Sequence, residues 1–177
     1  MTLRLVGSRR VFDGQVVGLR LDEIELPSGR RVVAEVVEHR GAVAIIPVTA
    51  SGEVLLVRQF RYPIGRDLLE VPAGTIEPGE AAEECARREL AEEVGRAAAR
   101  WDWLLSFYPS PGVMTEELHV YLARDLSPRR AEREEEDLRI EPRPLADARR
   151  LVASGEICDA KSIIGLLAAC DKLGVAP

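Results

Sequence analysis

The sequence predicts an α/β fold: a mixed sheet sandwiched between helices, preceded by a small antiparallel β-unit at the amino terminus. Three observations carry this expectation. Residues from about Arg10 to Glu38 alternate between apolar and polar in strand fashion. After Gly41 the continuous apolar run AVAIIPV has the character of a strand covered on both faces. Between Glu80 and Gly95, the residues Ala82, Ala86, Leu90 and Val94 recur every four positions, as in a helix with one buried stripe.

Taken in order, GLRLDEIEL and RRVVAEVVE flank the turn Pro27-Ser28-Gly29 and read as a hairpin-like unit. AVAIIPV and EVLLVRQF, joined through Ser51-Gly52, are expected to pair at the centre of the sheet. Leu68 to Val71 leads to the segment GTIEPGEAAEECARRELAEEVG, where Glu77-Pro78-Gly79 signals a turn. Glu80 then opens the helix at its positive dipole end, and Gly95 closes it. Further strands are expected at Trp101 to Phe107, Leu118 to Ala123 and Asp137 to Pro142, and helices near Pro144 to Ala153 and Ala160 to Leu173. The charge run RRAEREEEDLR, Arg129 to Arg139, reads by composition alone as a solvated loop. The division expected is an N-terminal β-unit over residues 1–40 and a main domain over residues 41–177.

At 177 residues the chain is long enough for a proper core. With 24 basic and 30 acidic residues its net charge is −6, which offers no global attraction for polymeric nucleic acid or an anionic membrane. MTLRLVGSRR lacks the apolar centre of a signal peptide, and the runs AVAIIPV and SIIGLLAAC fall short of the roughly 20 residues a membrane span needs. A cytoplasmic protein is expected. Cys85, Cys158 and Cys170 form no CxxC pair and leave an odd count, so they read as small, mostly buried side chains rather than a disulfide framework.

The chemistry concentrates on the helix. Glu89, Glu92 and Glu93 stand three and four residues apart and project from one helical face, with Arg88 beside them. An acidic helix is ordinarily a solvated face; here the carboxylates are clustered off the apolar stripe. Carboxylate oxygens are hard ligands suited to Mg²⁺, with Mn²⁺ as a substitute, and His39 and His119 are the only histidines, which argues against zinc. An anionic substrate would be repelled by three carboxylates unless metal ions bridge the two, so metal dependence is expected of a site built on this cluster.

The fixed positions Gly74, Glu80, Arg88-Glu89-Leu90, Glu92-Glu93 and Gly95 resemble the Nudix box, the signature of hydrolases acting on a nucleoside diphosphate linked to another moiety. One departure is visible: Arg96 stands where the family pattern has an aliphatic residue. The resemblance implies a Nudix-type α/β/α sandwich. It also implies Glu89 and Glu93 as direct metal ligands, Glu92 as a ligand to a further ion, and the Ala73 carbonyl as another. Arg88 resembles the residue that orients a ligating Glu, with Glu80 as its partner.

Pro111 in SFYPSPGVMTEE, together with VRQFRYP, LLEVPAG and DAKSI, resembles the ADP-ribose pyrophosphatase branch, although relatives that cleave GDP-mannose, other nucleotide sugars or flavin nucleotides share several of these motifs. By the same resemblance Glu134 is expected to activate water and Glu136 to serve as an accessory ligand; the run of adjacent Glu residues leaves Glu136 as the alternative base. Arg58 and Arg61 diverge by their odd spacing on a strand. The family favours Arg61 near the phosphates or terminal ribose, against an ion pair with Glu70. Arg40 is a weaker candidate for the nucleotide end, and Phe107, Tyr108 and Glu116 are candidates for site loops. The branch further implies a homodimer with exchanged N-terminal units. The activity expected is Mg²⁺-dependent hydrolysis of ADP-ribose to AMP and ribose 5-phosphate. The rival class is a nucleotide-binding regulator without turnover, which would have no need to hold so many repelling carboxylates together.

Overall fold

The computed structural model describes residues 2–129, 131 and 137–175. The chain divides into two compact units, Met1–Gly41 with Tyr108–Glu117, and Ala42–Phe107 with Leu118–Pro177.

The first unit is an antiparallel sheet of β1 (Arg4–Asp13), β2 (Gly18–Glu25) and β3 (Arg31–Glu38), in that order. The β2–β3 hairpin has the expected turn, where the Gly29 amide donates to Leu26 O at 2.9 Å and Gly29 adopts φ +80°. Its alternating pattern persists in the register, which runs unbroken from Gly18↔Glu38 to Glu25↔Arg31. The third strand, β1, is an addition to the expected hairpin; two register shifts and an almost wholly exposed face obscure its alternation. Segment 108–117 joins this unit because Val37 N donates to Val113 O at 2.8 Å and Thr115 N donates to Val37 O at 3.0 Å.

The second unit contains two sheets. One has the order β7 (Ala73–Thr75), β4 (Ala42–Pro47), β9 (Leu118–Pro128), β8 (Arg96–Phe107), with β4 and β9 parallel and the other pairs antiparallel. The other is antiparallel, with order β10 (Arg139–Pro144), β5 (Glu53–Arg61), β6 (Arg66–Glu70). The expected pairing of AVAIIPV with EVLLVRQF is thereby corrected. After a turn closed by Thr49 N to Glu53 O, only the bridge Val48↔Val54 joins them, and β5 passes into the second sheet.

Strand β4 is buried throughout and separates two cores. Ala42, Ala44 and Ile46 face one, shared with Leu166, Ala169 and Cys170 of α3 (Ala160–Leu173) and with Ala148 and Leu151 of α2 (Ala148–Ala153). Val43 and Ile45 face the other, shared with Cys85, Ala86, Leu90 and Val94 of α1 (Ala82–Val94). The period of two along the strand thus meets a period near four along the helices, which is the sandwich anticipated from the apolar patterns. Gly95, at φ +67°, closes α1 with its amide on Ala91 O at 3.0 Å, and Arg96 begins β8 without an intervening loop.

Candidate active site

The site is built on the residues that leave β6, each tied to a different part of the second unit. The Glu70 side chain, 1% exposed, receives Arg61 Nη2 and Lys161 Nζ, both at 2.6 Å from Oε2. Val71 N donates to Ser162 Oγ at 2.9 Å, Pro72 O accepts from Ile45 N at 2.8 Å, and Ala73 N donates to Glu93 Oε2 at 3.2 Å. At Gly74 the constraint is steric. A β-carbon there would lie 1.9 Å from Glu89 Oε1 and 2.0 Å from its Cδ, so only glycine admits the Glu89 carboxylate against this backbone.

Arg88 organises the rest of the acidic face. Its Nε and Nη2 donate to the two oxygens of Glu80 at 2.9 and 3.1 Å, and Nη1 donates to Glu89 Oε1 at 2.6 Å and Glu92 Oε2 at 3.0 Å. Nη2 also reaches Thr75 O at 3.3 Å, which ties the helix to β7. The hydrogen bond from Arg88 is the main reason the Glu80 carboxyl is held down at about 2; partial burial opposes it, and the bond from the Glu77 amide adds to the effect. Hydrogen bonding to Glu80 likewise raises the Arg88 guanidinium. Burial pushes the nearby Cys85 thiol up to about 12, in keeping with an inert packing role.

Among the described residues, no group of three or more His, Cys, Asp or Glu side chains is gathered tightly enough to hold a metal ion unaided. The carboxylates are instead drawn onto the Arg88 guanidinium and the Ala73 amide. The donor chemistry nevertheless fits a hard divalent cation. Glu89 and Glu93 both close on the Ala73–Gly74 backbone, Glu92 adjoins them, and every donor they bring is an oxygen.

The other expected residues fall in several places. Arg58 forms a two-pronged pair with Glu141 of β10, at 2.5 and 3.2 Å. Arg61 turns to Glu70, so the two guanidinium groups do diverge. Phe107, half-buried, ends β8. In the first unit, Arg40 Nη2 donates to Gln15 O at 3.1 Å, and Glu116 lies 3.7 Å from His39 Nδ1. Pro111 sits in a turn where Val113 N meets Ser110 O, and Tyr108 is exposed. Glu134 and Glu136 lie outside the described residues. Sequence reasoning did not single out Glu141, and it reached Lys161 and Ser162 only as members of the DAKSI segment, with no role of their own. A further signal existed for Ser162, which interrupts an apolar helical face shared with Gly165, Leu166 and Ala169.

The chain is similar to several known proteins. The NUDIX domain model matches residues 38–162. An ADP-ribose pyrophosphatase of Bacillus subtilis (strain 168) is 40% identical over 162 residues, covering 90% of this chain and 88% of that protein. A methanol dehydrogenase activator of Bacillus methanolicus is 35% identical over 166 residues, covering 92% and 90%. A crystal structure of an ADP compounds hydrolase superposes with a TM-score of 0.88 at 25% identity, covering 99% and 98%. The chain belongs to the Nudix family, as a pyrophosphohydrolase of that family.

Two outcomes are expected from this geometry. Gly74→Ala displaces a flexible carboxylate rather than backbone, so folding should survive while metal-dependent turnover falls by about 10–100-fold; circular dichroism and a turnover assay check this together. The second concerns Glu70, whose burial raises its carboxyl but is outweighed by Arg61 and Lys161, leaving it below its ordinary 4.5. The stabilisation it contributes is therefore complete above that value and lost as pH falls through the lowered one. Glu70→Gln should cost about 3 kcal/mol near neutrality, and the gap to the unaltered chain should narrow in urea denaturation as the pH is taken progressively below 4.5.

Proposed function

We propose that the chain hydrolyses the diphosphate bond of ADP-ribose, giving AMP and ribose 5-phosphate, in a Mg²⁺-dependent reaction. The observation that carries this reading is the seating of the Glu89 carboxylate against Gly74 and of Glu93 on the Ala73 amide, which brings two carboxylates to one turn of backbone. The likeness to a protein named an ADP-ribose pyrophosphatase supports the choice of substrate. Glu89, Glu93 and the Ala73 carbonyl would hold one ion and Glu92 a further one. Bound Mg²⁺ supplies neutralisation of the diphosphate and polarisation of a phosphoryl oxygen.

The chain's own residues do the remaining work. Arg88 keeps Glu80, Glu89 and Glu92 together, so the acidic face is preformed rather than assembled against its own repulsion. Glu134 takes the proton of the attacking water and Glu136 assists as an accessory ligand; the alternative is the exchange of these two roles. Arg61, with its guanidinium partly exposed beside Glu70, binds oxygens of the phosphates or terminal ribose, and Glu70, Arg40, Arg58, Pro111 and Glu116 are the other substrate-binding candidates. A homodimer with exchanged N-terminal units is supported by the exposed Leu5, Val11 and Phe12 of β1. Among the described residues no helix is long and apolar enough to cross a membrane, and the chain is read as cytoplasmic.

The likeness to a methanol dehydrogenase activator supports a second reading, in which the domain binds a nucleotide and regulates a partner enzyme. The same site acting on another nucleotide sugar or a flavin nucleotide would keep the chemistry and change the substrate. Phosphatase-coupled phosphate release, with Mg²⁺ and with chelator, across ADP-ribose, GDP-mannose and flavin nucleotides separates these readings. Metal-dependent preference for ADP-ribose is expected, and Glu93→Gln should keep the fold while losing about 100-fold or more of turnover. Unchanged activity in that variant contradicts the site assignment. Full activity in Glu134→Gln with loss in Glu136→Gln exchanges the roles of those two residues.

A further inference from the structure

Helix α3 contributes no carboxylate to the acidic face, yet it touches the strand that feeds it. The helix lies close on the sheet because of Gly165, where a β-carbon would stand 2.7 Å from Ile46 Cδ1 and 3.2 Å from Val120 Cγ1. Its backbone is thus seated directly against β4 and β9, and cannot shift without opening the core they share. One turn earlier and on the same face is Ser162, which is 0% exposed. A hydroxyl in such an apolar setting is costly unless it is hydrogen-bonded, and here its oxygen accepts from Val71 N at 2.9 Å. The same turn of helix is pinned a second time by Lys161 Nζ on Glu70 Oε2, and Asp159 caps it through Ser162 N at 3.1 Å.

Val71 stands two residues before Ala73, whose carbonyl and amide are both used at the site: the carbonyl as a proposed ligand, the amide as the donor to Glu93 Oε2. Pro72 between them has no N–H to donate, and its carbonyl is taken by Ile45 N. The Val71 amide is therefore the main-chain donor nearest to Ala73 on its N-terminal side, and it is spent on α3 rather than on a sheet partner. We infer that Ser162 is a positioning residue for the metal site, setting the placement of the Ala73–Gly74 backbone on which Glu89 and Glu93 close. The inference rests on the metal-site reading given above. It adds α3, an element with no ligand of its own, to the machinery that sets metal affinity.

Titration of Mn²⁺ into the intact chain, followed by electron paramagnetic resonance of the free ion, tests this without recourse to turnover. Ser162→Ala removes the acceptor and should weaken Mn²⁺ binding about tenfold. Ala169→Gly removes a buried methyl from the same helical face but leaves the hydroxyl and its amide partner in place. It should keep the affinity of the unaltered chain even where its melting temperature falls as far. Should Ser162→Ala not fold, Ser162→Cys, close in size and a weaker acceptor, carries the same expectation in the same direction. Affinity within twofold of the unaltered chain in the Ser162 variant, or parallel weakening in Ala169→Gly and Ser162→Ala, overturns the inference, because either result reduces Ser162 to ordinary packing. Absence of Glu93-dependent Mn²⁺ binding in the unaltered chain overturns the metal reading and the inference together, which sets that failure apart from the first.

Discussion

The space denied to a β-carbon at Gly74 is the constraint on which the rest of the site depends. Helix α1 is pressed onto the sheet by Cys85, Ala86, Leu90 and Val94, and at that depth the Glu89 side chain lies directly across the Gly74 backbone. Any side chain at position 74 would drive the carboxylate out or lift the helix. Packing of the apolar stripe and placement of the acidic face are therefore one problem: the helix that buries Leu90 on one side carries Glu89, Glu92 and Glu93 to the turn on the other. The turn is equally determined, since every residue from Glu70 to Ala73 is tied to β4, β5, α1 or α3.

Electrostatics decides whether such a face can persist. Carboxylates this close disfavour one another's ionisation, and burial adds to the penalty. Arg88 opposes that repulsion by placing one guanidinium among Glu80, Glu89 and Glu92, with charge-assisted bonds of 2.6 to 3.1 Å. Because Glu80 is held down at about 2, its own pair with Arg88 is present across the whole neutral range and is lost only in strong acid. Exposed ion pairs contribute little to stability, but this one is part-buried and shared among three acids, so its effect lies in geometry more than in net energy.

Legibility in the sequence followed the range of the interaction. The stripe of α1 and its closing Gly95 are set by residues within a few positions of one another, and both are found as the spacing implied. The β2–β3 hairpin was legible for the same reason. What depends on long-range placement was not. Strands β4 and β5, adjacent in sequence and alike in composition, enter different sheets. Strand β1 escaped notice because its outward residues lack a clean alternation. Arg58 finds Glu141, which is 83 positions away, and Ser162 finds Val71 at a separation of 91; no local pattern announces either partner. The roles of Glu134 and Glu136 were reached only through resemblance to a family, and they fall outside the described residues.

The central claim is that oxygens gathered on the Ala73–Gly74 backbone form a divalent-cation site. Anomalous diffraction from crystals grown with Mn²⁺ measures this most directly. The account predicts an anomalous peak about 2.0–2.3 Å from carboxylate oxygens of Glu89 and Glu93 and from the Ala73 carbonyl, absent in crystals of Glu93→Gln. A peak bound elsewhere in the second unit, or none at this turn with the metal in excess, would contradict it.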